Sequence, residues 1–157
     1  MLNFAIFYQM IKRSGYRQAD TILTDSEKKR YIIPILTDYI RELGKNTYRS
    51  DQMDEDALRC LAAISFYKNT GNQERATMML EEPYRAGFQQ LLVKYEEKRN
   101  KSGRIDFDDM LYHCQMMLEE DEVVLNHWQN EFTYLLIDEY QDINPRQNKI
   151  IKLLAGK

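Results

Sequence analysis

A chain of 157 residues with 22 Lys and Arg against 25 Asp and Glu has a formal net charge of −3, and 43% of it is apolar. It is long enough to close one hydrophobic core, and no stretch approaches the roughly 18 uncharged apolar residues that a membrane span requires. The acidic balance excludes a uniformly basic nucleic-acid binder, so any DNA contact has to be local. In the opening MLNFAIFYQMIKRSG the charges follow the apolar run and no small-residue cleavage site appears, so it does not read as a secretory signal and the expected compartment is the cytoplasm. Cys60 and Cys114 lack CxxC partners, which argues for plain thiols over zinc or a disulfide framework.

Glycine and proline are scarce and no repeat occurs, so the chain reads as helices with short joints. Leu2–Ser14 places Phe4, Phe7, Tyr8 and Ile11 at helical spacing, with Gly15 as a stop. Thr24 followed by Glu27 is a capping-box pattern, and Tyr31, Ile32, Ile35, Leu36, Tyr39, Ile40 and Leu43 form a stripe ending at Gly44. Pro34 is expected to kink or divide this helix. Asp54–Asn69 and Asn72–Glu82 are the next helices. Pro83 then opens a longer one in which Tyr84, Phe88, Leu91, Leu92 and Tyr95 recur every three or four residues up to Gly103. Asp106 can cap a helix containing Phe107, Met110, Leu111 and Met117, and Glu122–Asn130 supplies another turn or two. Phe132–Ile137 is the one strand expected, a short apolar run of the kind that a parallel sheet buries on both faces. Asn144, Pro145 and Gln147 mark the start of a last helix with Ile150, Ile151, Leu153 and Leu154 facing inward.

The chemistry lies where that strand ends. Leu135-Leu136-Ile137-Asp138-Glu139 delivers two adjacent acids from an apolar run, and ligands of open α/β sheets bind beyond the carboxyl ends of the strands. Asp138 would there hold a hydrated Mg²⁺ bridging nucleotide phosphates, and Glu139 would orient and deprotonate the attacking water. From these residues alone an equal alternative stands, a solvated acidic turn capping the last helix.

The longer string Asp138-Glu139-Tyr140-Gln141-Asp142-Ile143-Asn144-Pro145-Arg146-Gln147 resembles motif II of the UvrD/Rep-like superfamily 1 DNA helicases. Arg104-Ile105-Asp106-Phe107-Asp108-Asp109-Met110-Leu111 is similar to the Asp-Phe-Asp-Asp-Leu-Leu segment upstream of it in the same family. Phe4–Ser14 and Ile22–Glu27 look like the segment that leaves the single-strand-contacting motif and enters a helical insert. Asn3-Phe4-Ala5 stands where the family usually shows Thr-Phe-His, and only Phe4 survives of that contact.

The resemblance implies a mainly α chain, with a helical bundle-like insert followed by an incomplete α/β RecA-like portion of one strand and one helix. Residues 1–14 would end a RecA-like segment, 15–103 would be the insert, and 104–157 a partial RecA-like ATPase domain. It further implies ATP-driven 3′-to-5′ movement on single-stranded DNA, with Mg²⁺ and ATP as cofactors. Asp138 would bind the metal and nucleotide, Glu139 would be the catalytic base, and Gln141 would couple the nucleotide site to the moving domain or the strand. DNA and the remaining helicase domains are the implied partners. No GxxxxGK[ST] loop occurs in the sequence, although that loop supplies the cradle for the β- and γ-phosphates. The chain is therefore expected to be a window on a larger motor, inactive alone, whose strand lacks its sheet neighbours and is left irregular, disordered or paired in a dimer.

Phe4, Lys12 and Arg13 are the nucleic-acid candidates. The clusters Lys28-Lys29-Arg30 and Lys94, Lys98, Arg99, Lys101 and Arg104 could also touch phosphates, against the plainer reading of a helix face balanced by neighbouring acids. His113 and His127 have no ligand-spaced partner, and the methionines read as core filler. Two rival functions share these residues: the ATPase half of a helicase-nuclease, and a non-catalytic helical interaction module keeping a relic motif II.

Overall fold

The computed structural model describes Phe7, Gln9, Met10, 22–44 and 50–156. Most of the expected helix Leu2–Ser14 lies outside these residues, although Phe7, Gln9 and Met10 are helical and Phe7 and Met10 are buried. The described residues are mainly helical, and their β pairing is one isolated parallel bridge between Ile22 and Ile105. No described helix is long and apolar enough to cross a membrane. The chain divides into two compact units, Thr21–Asp106 and Met1–Asp20 with Phe107–Lys157.

The Thr21–Asp106 unit contains α1 (Asp25–Glu42), α2 (Ser50–Thr70), α3 (Gln73–Met78) and α4 (Tyr84–Lys101). Thr24 and Glu27 form the expected capping box, with Glu27 N donating to Thr24 Oγ1 at 3.4 Å and Thr24 N to Glu27 Oε2 at 3.0 Å. Such a cap stabilises a helix start by about 1 kcal/mol. Ile32, Ile35, Leu36, Tyr39 and Ile40 are the buried stripe, and Gly44 ends the helix region at φ 73°. Pro34 does not divide α1, contrary to expectation. Both Pro34 and Arg30, whose carbonyl loses its helical donor, are exposed, so water can take the freed acceptor while the opposite face stays packed. Helix α3 is shorter than the expected Asn72–Glu82 because Met79 N and Leu80 N bond three residues back, closing the last turn early.

Tyr84, Phe88, Leu91, Leu92 and Tyr95 of α4 bury against α1 and α2, with Tyr67 edge-on to Phe88 at 6.1 Å. Helices α1 and α4 meet where α4 has no side chain, at Gly87. A Cβ built there would overlap Cζ and the hydroxyl of Tyr39, which is buried and donates to Pro83 O at 3.1 Å.

The two ends of this unit are fastened together. Leu23 N donates to Ile105 O at 2.8 Å, and Arg104 sends Nη1 to Glu27 Oε1 at 2.7 Å, with Nη2 reaching Glu27 Oε2 at 3.0 Å and Ile22 O at 3.1 Å. Further in, Lys68 of α2 bridges Asp106 at 2.8 Å and Glu96 of α4 at 3.2 Å, so each charge is met on taking it from water.

The second unit contains α5 (Phe107–Glu120), α6 (Glu122–Glu131) and α7 (Pro145–Leu154). Asp121 caps α6 by accepting from Val123 N and Val124 N at 3.0 and 3.1 Å. Asn144 and Gln147 form the expected capping box of α7, with Pro145 in its first turn. Met110, Leu111, Cys114 and Leu118 of α5 are buried, as are Trp128 of α6 and Ile150, Ile151 and Leu154 of α7. Arg146 ties α7 to α5, donating to Gln115 Oε1 at 2.9 Å with its guanidinium 5.0 Å from the Tyr112 ring centroid. Burial pushes the thiols of Cys60 and Cys114 up to about 12, as befits unreactive core residues.

The strand read from the apolar run is not formed: residues 132–137 run on from α6 as irregular chain without a sheet ladder, one of the outcomes expected for a run that lacks its sheet neighbours. No second strand exists among the described residues, so nothing there supplies ladder partners for its N–H and C=O groups, and the backbone stays where water can reach it.

Gly87→Ala is expected to lower stability by up to about 2 kcal/mol in equilibrium urea unfolding, since displacing Tyr39 costs about 1–3 kcal/mol and the helix propensity of Ala returns only about 1. The ion pair gives a pH test. The Arg104 guanidinium, with the Thr24 amide and hydroxyl, lowers the Glu27 carboxyl from 4.5 to about 2. A depressed carboxylate contributes stability that is present above its unfolded value and lost as pH falls through the folded one. Thermal melts should therefore lose stability between about pH 4.5 and 2, and Arg104→Ala should remove the largest part of that loss, leaving the part due to Thr24.

Candidate functional site

The segment between α6 and α7 carries the acids. Phe132 stacks on buried Trp128 with centroids 5.9 Å apart, anchoring its start. Beyond that anchor the side chains split by position: Leu135 and Ile137 are half-buried, whereas Tyr134 and Leu136 are 85% and 92% exposed. Such alternation is what an extended segment shows when packed on one side only.

Asp138, Glu139 and Gln141, the three residues expected to hold and hydrolyse nucleotide, come together in one exposed turn. Asp138 Oδ1 accepts from Glu139 N at 3.0 Å, and Gln141 Nε2 donates to Glu139 Oε2. Glu139 sits at φ 51°, ψ 45°, the only non-glycine residue with positive φ among those described. That conformation costs a side-chain-bearing residue about 1 kcal/mol, and such outliers gather at functional positions. The chain then makes a 3-10 turn at Tyr140–Asp142, closed by Asp142 N donating to Glu139 O at 2.8 Å. Tyr140 remains 55% exposed, with its hydroxyl donating to Asn148 Oδ1 of α7 at 3.0 Å.

This geometry suits a single carboxylate on a hydrated ion. Asp138 has one oxygen occupied by a backbone amide and is exposed, while Asp138, Glu139 and Asp142 do not bring three ligand atoms together. Mg²⁺ keeps several waters and takes one or two hard oxygens, which such a turn can offer. Glu139 beside it is open to water on all but its Gln141 contact.

Upstream, Asp108 and Asp109 of the Asp-Phe-Asp-Asp segment lie buried in the first turn of α5, where the helix dipole favours negative charge. Of the nucleic-acid candidates, Phe4, Lys12 and Arg13 lie outside the described residues. The other basic clusters are largely paired: Lys28 with Asp25, Lys29 with Asp54, Lys94 with Glu42, Arg99 with Glu96, and Arg104 with Glu27. Lys98 lies 5.4 Å from the Tyr31 ring centroid, and Arg30 and Lys101 are exposed. Asn148 carried no sequence signal, because its partner stands eight residues away across a turn.

The paired acids stand on a turn before a capped helix, and comparison with known proteins identifies the family of the chain that carries them. The model of the UvrD/REP helicase N-terminal domain matches residues 2–157, and the chain belongs to that family. It is 46% identical over 62 residues to the ATP-dependent DNA helicase Rep of Escherichia coli (strain K12), covering 40% of this chain and 9% of that protein. With the Rep helicase of Buchnera aphidicola subsp. Schizaphis graminum the identity is 33% over 125 residues, 76% of this chain and 18% of the other. The ATP-dependent DNA helicase PcrA of Staphylococcus aureus (strain Mu50 / ATCC 700699) is 26% identical over 155 residues, 96% of this chain and 21% of that protein. The chain thus spans about a fifth or less of the length of these relatives.

The left-handed backbone of Glu139 separates two substitutions that both remove its carboxylate. Glu139→Gly should leave the stability of the chain unchanged or raise it by up to about 1 kcal/mol, whereas β-branched Glu139→Val should lower it by about 1–2 kcal/mol. Urea unfolding of the two variants side by side checks the order.

Proposed function

We propose that this chain is part of an ATP-dependent DNA helicase that moves 3′ to 5′ on single-stranded DNA in the cytoplasm, and that Asp138–Asp142 is its hydrolytic turn. The observation that carries the reading is the meeting of Asp138, Glu139 and Gln141 on one water-exposed turn in a chain of the UvrD/REP family. Residues 15–103 are the helical insert in this reading, and 104–157 belong to the ATPase domain.

Mg²⁺ bound with ATP would offset the charge that develops on the transferred phosphoryl group. Asp138 would hold the metal through its carboxylate, one oxygen of which accepts from the Glu139 amide. Glu139 takes the proton of the attacking water. Gln141, hydrogen-bonded to Glu139, is placed to link that carboxylate to the rest of the motor. Phosphate binding falls to a Gly-rich loop that the 157 residues do not contain. DNA contacts come from Phe4, Lys12 and Arg13 and from whatever basic side chains can leave their acidic partners. Lys28, Lys29 and Lys94 pair with exposed carboxylates, and because such pairs are weak, phosphates can compete for them at low salt.

In the full-length helicase, Glu139→Gln should lower DNA-stimulated hydrolysis by about 10²–10⁴-fold, the range of a lost general base, with ATP binding largely intact. Asp138→Ala should instead weaken Mg²⁺-dependent nucleotide binding itself. Filter binding of labelled ATP beside steady-state hydrolysis reads the two effects separately, and near-parental hydrolysis in both variants would reduce the turn to a helix cap.

A further inference from the structure

We propose that Asn148 is a positioning residue for the hydrolytic turn, acting through the hydroxyl of Tyr140, an inference that rests on reading Asp138 and Glu139 as the reacting carboxylates. The side-chain contacts of the turn are otherwise internal. Asp138 bonds to the Glu139 amide and Gln141 to the Glu139 carboxylate, while the 3-10 turn closes on backbone alone. Tyr140 is the exception: its hydroxyl donates to Asn148 Oδ1 at 3.0 Å, the one side-chain hydrogen bond that joins the turn to α7 among the described residues.

Helix α7 can serve as a fixed reference. Ile150, Ile151 and Leu154 are buried, and Arg146 and Lys149 pair with Gln115 and Glu119 of α5 at 2.9 and 2.6 Å. Asn148 stands one helical turn after the N-cap Asn144, where the capping box pins the backbone. The chain of contacts runs from α5 through α7 and Asn148 to Tyr140, whose amide nitrogen is bonded directly to the Glu139 carbonyl carbon. Glu139 is exposed and has a left-handed backbone, so beyond its Gln141 contact the direction of its carboxylate depends on that tether. The bond is exposed, so its worth to overall stability is small, yet displacing a catalytic group by an ångström reduces rates severely.

The test is steady-state ATP hydrolysis by the full-length helicase on saturating single-stranded DNA, with thermal unfolding of each variant alongside. Asn148→Ala and Tyr140→Phe should each lower kcat by about tenfold while KM for ATP stays within about twofold, and the double variant should fall no further. Asn148→Asp keeps an acceptor oxygen and should recover most of the lost rate. Unchanged kcat in Asn148→Ala, losses that multiply in the double variant, or a rise in KM alone would each overturn the proposal. Should Asn148→Ala fail to fold, Tyr140→Phe, which removes one oxygen from an exposed ring, carries the test. Glu139→Gln separates the two levels: if it hydrolyses at the parental rate the functional reading falls, and if it is inactive while Asn148→Ala is normal only the positioning role falls.

Discussion

The carboxylate of Glu27 holds the Thr21–Asp106 unit closed. Its Oε2 accepts from the Thr24 amide and hydroxyl and from Arg104 Nη2, and its Oε1 from Arg104 Nη1. One side chain thereby completes the N-terminal cap of α1 and fastens the entry of an 86-residue unit to its exit. The lowered pKa of the group follows directly, since every one of these donor contacts is lost or weakened if the carboxylate takes up a proton. Helices α1, α2 and α4 then share a core whose closest approach is set by Gly87 against Tyr39, so the packing relies on a missing side chain as much as on the aromatic ones.

What the sequence revealed tracks how local the physics is. Capping at Thr24/Glu27 and Asn144/Gln147, glycine stops, and the stripe of α1 were legible because each is decided within a few residues. The 3.6-residue period of Tyr84, Phe88, Leu91, Leu92 and Tyr95 likewise needed nothing distant to be read. The division allowed for at Pro34 did not occur because a proline's effect depends on which face it takes, and here it takes the exposed one. The strand propensity of 132–137 goes unrealised for the opposite reason, as the missing sheet neighbours implied. Its apolar run is a statement about neighbours, and no amount of local propensity forms a ladder without a second strand.

The candidate site divides the same way. Asp138 and Glu139 stood out as adjacent acids after an apolar run, a linear signal that left a helix-capping turn equally open, and the choice between the two, with Gln141, came from the resemblance of the longer string. The left-handed backbone at Glu139 and the Tyr140–Asn148 bond were not legible, because they arise from how the turn folds back on α7. The basic clusters were ambiguous in sequence, and the structure shows their charges largely met by acids within the same unit. That accounting agrees with a net charge of −3 and leaves little standing positive field.

The exposure of Tyr134 and Leu136 beside a buried Trp128 separates two kinds of selection. Residues that keep the chain folded are the packed ones in α1 to α7, with Phe132, Leu135 and Ile137 half-buried beside them, while Tyr134, Leu136 and the acids of the turn contribute little to packing. A library of variants ranked by resistance to proteolysis would therefore score the acidic turn as tolerant and the helical body as constrained. Sequence drift under selection for folding alone would begin at that turn, erasing the acids long before the fold gave way.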